Sequence, residues 1–271
     1  MGWLRRGQDL WPRPWARETI LDSAPGRILV LSTTGALLVV AAAWTVTLAN
    51  VVIGHGGLGV DFRQYLDHTE RWLHTGQFYL PRQLSGATTV MDGDPLYPPI
   101  VLWLLVPFTM LPAALWWAIP LTIIVGVLIA LRPAPWTWPM LGFIALWPRT
   151  PALILYGNPG IWMVAAIAGG VLWRWPGPLV LIKPSLLPFA LVGIGSRGWS
   201  RTLVLVLIAC IPFGALWVDY VAVLRNSNVP LSYSLLDLPL ALAPVVAGLG
   251  RRRSPAGGGR VIEVVPVDDA A

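Results

Sequence analysis

Apolar runs recur from residue 28 to residue 250, separated by short polar or proline-containing breaks. Runs of this length with so few charges predict helices that cross a membrane. Divided at the breaks, they give about eight spans: 28–53, 98–112, 114–131, 137–154, 158–173, 178–194, 201–220 and 229–250. Several fall short of the ~20 residues that a straight span needs. They also carry Pro107, Pro120, Pro148, Pro151, Pro184 and Pro188, and broken helices at membrane depth are tolerated where they line a cavity. Residues 147–160 read either as span ends or as a loop that dips back from the outer face.

One long hydrophilic segment, 54–97, interrupts the apolar region. It holds His55, His68 and His74 together with Asp61, Asp67, Glu70, Asp92 and Asp94. Residues 61–76 predict a short amphipathic helix lying along the membrane surface, with Phe62, Leu66, Thr69 and Leu73 on one stripe and Asp61, Gln64 and His68 on another. Gly76 is its expected stop. The arginines of segment 1–27 and Arg251-Arg252-Arg253 place both ends in the cytoplasm, with 251–271 a disordered tail. Two cytoplasmic ends require an even number of spans and put 54–97 outside. On this count Arg197 and Arg201 lie inside, as the positive-inside rule prefers, and Arg132 and Arg174 lie outside, against it. The domain organisation is therefore 1–27, a membrane domain 28–250, and 251–271.

Composition narrows the class. Of 271 residues, 56% are hydrophobic and 12% charged, which excludes a cytosolic enzyme and a disordered protein. The net charge is +6, but the basic residues gather at the two ends, as topology demands, so nucleic acid is not the expected partner. The single cysteine, Cys210, excludes a disulfide framework and reads as a small buried hydrophobe. Trp116-Trp117, Trp136/Trp138 and Trp173/Trp175 sit at span ends, as an interfacial belt would. The sequence contains no phosphate-binding glycine loop, nucleophile elbow or His-Glu zinc motif.

Few residues can carry chemistry. Asp61, early in the outer loop, suits a general base for a hydroxyl, or simply a helix N-terminal acid. Lys183, the only lysine, lies within an apolar stretch, where a charge marks a ligand pathway and can meet a phosphate as a point charge. Asp92 and Asp94 lead to Tyr97 and suit a solvated turn, sugar hydroxyls or a divalent metal. Asn158 in YGNPG suits a turn or a ligand hydroxyl. Arg63, Tyr97 and His68 join the substrate-binding candidates by location. Asp219 and Arg225 are placed to pair with each other.

The order of these motifs resembles glycosyltransferase family 87. GVDFRQYLDHTERWLHTGQFY resembles the family's Asp-x-x-x-Tyr loop, here Asp61 and Tyr65. LYPPIVLWLLVPFTMLP resembles its Tyr-Pro-Pro approach to the next span, YGNPGIWMVAAIAGG its Gly-Gln/Asn turn, and IKPSLLPFALVGIGSRGW its Lys-Pro segment. The resemblance covers roughly 28–225. Family members are usually longer after the Lys-Pro segment, and Asn158 stands where glutamine is commoner. The resemblance implies an all-α, polytopic GT-C bundle in the plasma membrane, using polyprenyl-phosphate sugars, notably the mannosyl donor, outside the cytoplasm. It implies Asp61 as catalytic base, acting on a lipid or glycan acceptor, and Lys183 serving the donor phosphate. Because phosphate is a competent leaving group, no cofactor or metal is expected. Two other readings stand beside it. One is a non-catalytic lipid-binding or scaffold subunit with a partner in an envelope-glycan assembly. The other is a small-molecule transporter.

Overall fold

A computed structural model describes residues 23–91, 93–227 and 236–251. Most of the N-terminal segment, Asp92, residues 228–235 and the tail beyond Arg251 lie outside the described residues, and with them the expected disordered tail. Regular structure among the described residues is helical, with isolated bridges at Thr88–Ser227 and Pro133–Arg251. The helices are α1 (Ala24–Gly54), α2 (Val60–Thr75), α3 (Pro81–Leu84), α4 (Leu102–Leu105), α5 (Ala114–Leu131), α6 (Trp138–Leu146), α7 (Arg149–Tyr156), α8 (Gly160–Trp173), α9 (Leu187–Ala190), α10 (Arg197–Cys210), α11 (Gly214–Asn226) and α12 (Leu238–Leu249). Three helical stretches are long and apolar enough to cross a membrane: α1, α5 and the α10–α11 pair. The bent pair α7–α8 makes up to four. The chain is thus a helical membrane protein whose single long spans are fewer than the apolar runs suggest.

The spans show lipid-facing chemistry. In α1 only Gly26, Val30, Thr34, Ala41 and Val52 are buried, one stripe at helical spacing against α6 and α7. Val39, Val46 and Ile53 on its other faces are exposed, as suits lipid contact. The centre of the bundle is α8. Its small residues Ala165, Ala166, Ala168, Gly169 and Gly170 are all buried, so neighbouring backbones approach closely, the usual route to helix association in lipid.

Contacts along α8 fix the directions of its neighbours. Near its start, the Trp116 indole of α5 donates to the Gly157 carbonyl at 2.8 Å. Near its end, Ala168 packs with Val127 and Leu131 of α5 and Ala247 of α12. The helices α5, α8 and α12 therefore run parallel. Arg132 and Arg174 cap α5 and α8 in the left-handed conformation, and the Ala134 amide bonds the Gly250 carbonyl at the close of α12. Helix α1 runs the other way: its start lies by Pro135–Thr137, and beyond its C-terminus the Gly59 amide reaches the Leu155 carbonyl at 2.8 Å. One end of the bundle thus gathers Arg27, Arg132, Arg174 and Arg251. The acids Asp61, Asp67, Glu70, Asp94, Asp219 and Asp237 lie toward the other end or within the bundle.

Two of the expected spans do not pass through. Residues 98–112 break into α4 flanked by 3-10 turns, because Pro98, Pro99, Pro107 and Pro112 deny a continuous helix. Both ends stay near α2: Tyr97 packs on Tyr65, and Phe108 on Phe62 and Trp116. Residues 178–194 go up and back. The leg Gly177–Ile182 climbs along α8 as a 3-10 helix. Lys183, forced extended by Pro184 (φ −123°, ψ 91°), forms the tip. The leg through α9 returns until a Cβ built on Gly193 would lie 2.0 Å from the Arg174 carbonyl oxygen. Irregular backbone of this kind is stable at membrane depth only when covered by protein, and Val180, Leu186 and Ala190 are buried against Met163 and Ile167. Arg174 and Arg197 accordingly share an end, and the sequence-based placing of Arg132 and Arg174 opposite Arg197 is corrected.

Candidate functional site

Helix α2 carries the first element. It begins at Gly59 in the left-handed conformation and ends at Gly76 (φ 75°), the predicted stop. Phe62 and Thr69 are buried as the stripe requires, but Leu73 is 49% exposed. Trp72 takes its place against Phe213. Phe62 stacks on Trp116 with centroids 4.8 Å apart, which presses the first turn of α2, and Asp61 with it, onto the start of α5. Trp116 is fully buried, so it belongs to the core of the site end and not to an interfacial belt. Trp138, Trp173 and Trp175 are exposed, as a belt requires.

The turn between α7 and α8 faces Asp61. The two helices meet at 110°, broken by Gly157 and Pro159. Gly157 is required twice over. Its φ is +70°, and a Cβ there would lie 2.8 Å from Trp117 and 2.9 Å from Phe62. Asn158 is buried and is the hub of the site. Its Oδ1 accepts from the Gly160 amide at 2.9 Å, and that fixed donor determines which way the amide points. Its Nδ2 therefore faces outward and donates to Asp61 Oδ2 at 2.7 Å. The Tyr97 hydroxyl donates to the same Oδ1 at 3.2 Å. Lys183 Nζ lies 5.6 Å from the Tyr97 ring centroid. A Cβ on Gly160 would lie 3.0 Å from Asn158 Oδ1 and 3.6 Å from Lys183 Nζ, so both side chains converge over a glycine. Asp61, Tyr97, Asn158 and Lys183 thus meet although they lie up to 122 positions apart, counted from Asp61 to Lys183 in the sequence.

Other candidates are employed elsewhere. The Arg63 guanidinium donates to the carbonyls of Gly56 and Leu58 and braces the α1–α2 turn. Asp94 is buried and takes both Nη groups of Arg82 as well as the Met91 amide at 2.9 Å, so it anchors the loop that follows α3. Among the described residues no group of three or more metal-ligating side chains assembles. Asp219 and Arg225 do not pair with each other. Cys210 is half-buried against the aromatic cluster.

His68 ties α2 to the loop that follows α3, its Nε2 donating to the Gly93 carbonyl at 2.7 Å. Burial lowers its pKa from 6.5, an effect opposed by that hydrogen bond. The folded protein thus favours neutral imidazole, and the unfolded chain binds the proton more readily between the folded pKa and 6.5. Thermal stability should hold above pH 6.5 and fall as pH drops below it. His68→Gln should flatten that acid limb in melting curves, and an unchanged limb would assign the loss to another group.

Two site residues were overlooked in the sequence. Asp237 accepts from Lys183 Nζ at 2.7 Å and from Arg149 Nε at 3.2 Å. Each is the lone charge of its apolar run, the same signal that singled out Lys183. Compared with known proteins, the chain matches no family model, no curated protein and no solved structure.

Proposed function

We propose that the protein is a membrane glycosyltransferase of GT-C type, similar to glycosyltransferase family 87. It moves a hexose, most simply mannose, from a polyprenyl phosphate to a hydroxyl of a lipid or glycan acceptor. The observation that carries the reading is the convergence of Asp61, Asn158, Tyr97 and Lys183. A carboxylate held by an amide donor stands on the same junction as a lysine between apolar helices. Asp61 takes the acceptor hydroxyl proton as that oxygen attacks the anomeric carbon. The bond from the anomeric carbon to the phosphate oxygen breaks with its electron pair on phosphate, and the anomeric carbon inverts. Lys183 stabilises the charge that grows on the departing phosphate. The test is transfer by the purified protein in nanodiscs from polyprenyl-phosphate-mannose to a panel of acceptors, without metal. Absence of both transfer and donor binding sinks the proposal.

The positive-inside rule puts the arginine end in the cytoplasm and the Asp61 end outside. In a Cys210→Ser background, His74→Cys should react with an impermeant maleimide in intact cells. Trp175→Cys and Arg201→Cys should both react only in inverted vesicles. Opposite sidedness of those two would mean that 178–194 crosses after all.

A further inference from the structure

We propose that the headgroup of an anionic phospholipid binds at the base of the 178–194 hairpin, on Arg174, Arg197 and Arg201, and holds that base closed. The inference is independent of the transferase reading. The hairpin leaves α8 at Arg174 and leads into α10 at Arg197. Its two ends are pressed together there. Gly193 rests on the Arg174 backbone, and a Cβ on Gly198 would lie 2.8 Å from the Trp175 Cβ. The fold thus brings the segments that carry Arg174 and Arg197 into contact, and Arg201 follows one turn along α10.

This gathers positive charge with nothing to offset it. Among the described residues, none of the three arginines has a carboxylate partner, and Arg174 Nε is buried without a hydrogen-bond partner. The C-terminal dipole of α8 favours a cation at Arg174. The start of α10 does the opposite. Its first turn holds no acid, and its positive dipole end repels Arg197 and Arg201. An anion at the base replaces that repulsion with attraction, and a guanidinium matches two oxygens of a phosphate.

The surroundings select a lipid over a soluble anion. Trp173 and Trp175 flank Arg174 and are exposed, which sets this level at the headgroup layer. On α10, Arg197 and Arg201 head a stripe that continues through Val204, Leu205 and Ile208. Those three apolar residues are exposed, while Thr202 and Val206 of the same helix are buried. One helix face therefore offers cations at headgroup level and an apolar track beside the acyl chains, the two chemistries of a phospholipid. Basic pockets between helices on the cytoplasmic side take anionic headgroups in this way. The consequence reaches the candidate site, because a closed base fixes the leg that carries Lys183 at its tip.

The experiment measures phosphatidylglycerol binding to the protein in neutral detergent by native mass spectrometry, with phosphatidylcholine and soluble glycerophosphate as separate arms. Phosphatidylglycerol should bind and the other two should not. In nanodiscs, phosphatidylglycerol should slow hydrogen exchange over 177–194 relative to phosphatidylcholine alone. Arg174→Gln, Arg197→Gln and Arg201→Gln should each weaken binding about fivefold, the scale of one basic residue at an anionic surface. The last two change exposed residues, so folding is not at risk. Arg132→Gln is the control. It removes the same charge from the same end and from the same left-handed helix cap, but on α5, and should leave binding within about twofold. An equal loss in Arg132→Gln would assign binding to the general charge of that end and overturn the hairpin-base site. Equal binding of phosphatidylcholine overturns the anionic headgroup, and glycerophosphate binding as tightly overturns the lipid. Binding without slowed exchange over 177–194 overturns the closure of the hairpin.

Discussion

Replacing Asp61 with Asn should reduce turnover by roughly two to four orders of magnitude, the range lost with a general base, while donor affinity stays within about twofold. The substitution is informative because it preserves the junction. An amide oxygen at position 61 can still accept from Asn158 Nδ2, which now donates to Asp61 Oδ2 at 2.7 Å. Packing of α2 rests on Phe62, Trp72 and Thr69 and is untouched. What disappears is the capacity to take a proton. Lys183, on the far side of Tyr97, should hold the donor as before. Turnover close to that of the parent protein would reject Asp61 as the base while leaving the class of reaction open.

The largest structural effect should come from the smallest change. In Gly177→Ala, a Cβ would lie 2.1 Å from the Val192 carbonyl oxygen and 3.0 Å from that of Ala190. Both are backbone atoms of the returning leg of the hairpin, so no rotamer change relieves the clash. Overpacking in a fixed core costs about 1–3 kcal/mol and more where backbone must move. The hairpin then parts from α8, where Gly170 and Gly177 meet with almost no side chain between them, and Lys183 shifts with it. The expected result is a melting temperature several degrees lower in detergent, together with weakened donor binding. Gly126→Ala is the control. It lies inside α5 with nothing within 4 Å of the added carbon, and in a helix Ala is favoured over Gly by about 0.5–1 kcal/mol. A Gly177→Ala protein as stable as the Gly126→Ala control would contradict the hairpin packing.

How much of this was legible in the sequence depends on range. Local signals were faithful. The 3.6-residue stripe gave α2, Gly76 gave its end, and the long uninterrupted run gave α1. The run 178–194 was misread because hydrophobicity reports burial in an apolar phase, not direction of travel. A crossing and an up-and-back hairpin have the same composition. The clue was Lys183-Pro184, since a residue before proline leaves the helical region and a charge at that point needs a partner. The meeting of Asp61 with Asn158 could not be read locally, because it is made by Trp116 and Trp117 clamping the 154–157 turn. Asp237 and Arg149 were legible in principle, as single charges in otherwise apolar runs. Each stands alone in its own run, and only the fold brings the separate runs, and so the opposite charges, together.

The hairpin also sets an order of events during synthesis. Lys183 emerges from the ribosome 54 residues before Asp237, and Arg149 emerges 88 residues before it. Both cations must therefore wait in the membrane for a carboxylate carried by the last described helix. Until α12 inserts, the hairpin has neither its counter-ion nor the cover that Ala241 gives to Met163 and Ile167. A chain stopped before Leu236 would hold two partly buried cations without that carboxylate. Helix α12 thus serves as a latch, because the carboxylate at its start joins the Lys183 tip to the start of α7.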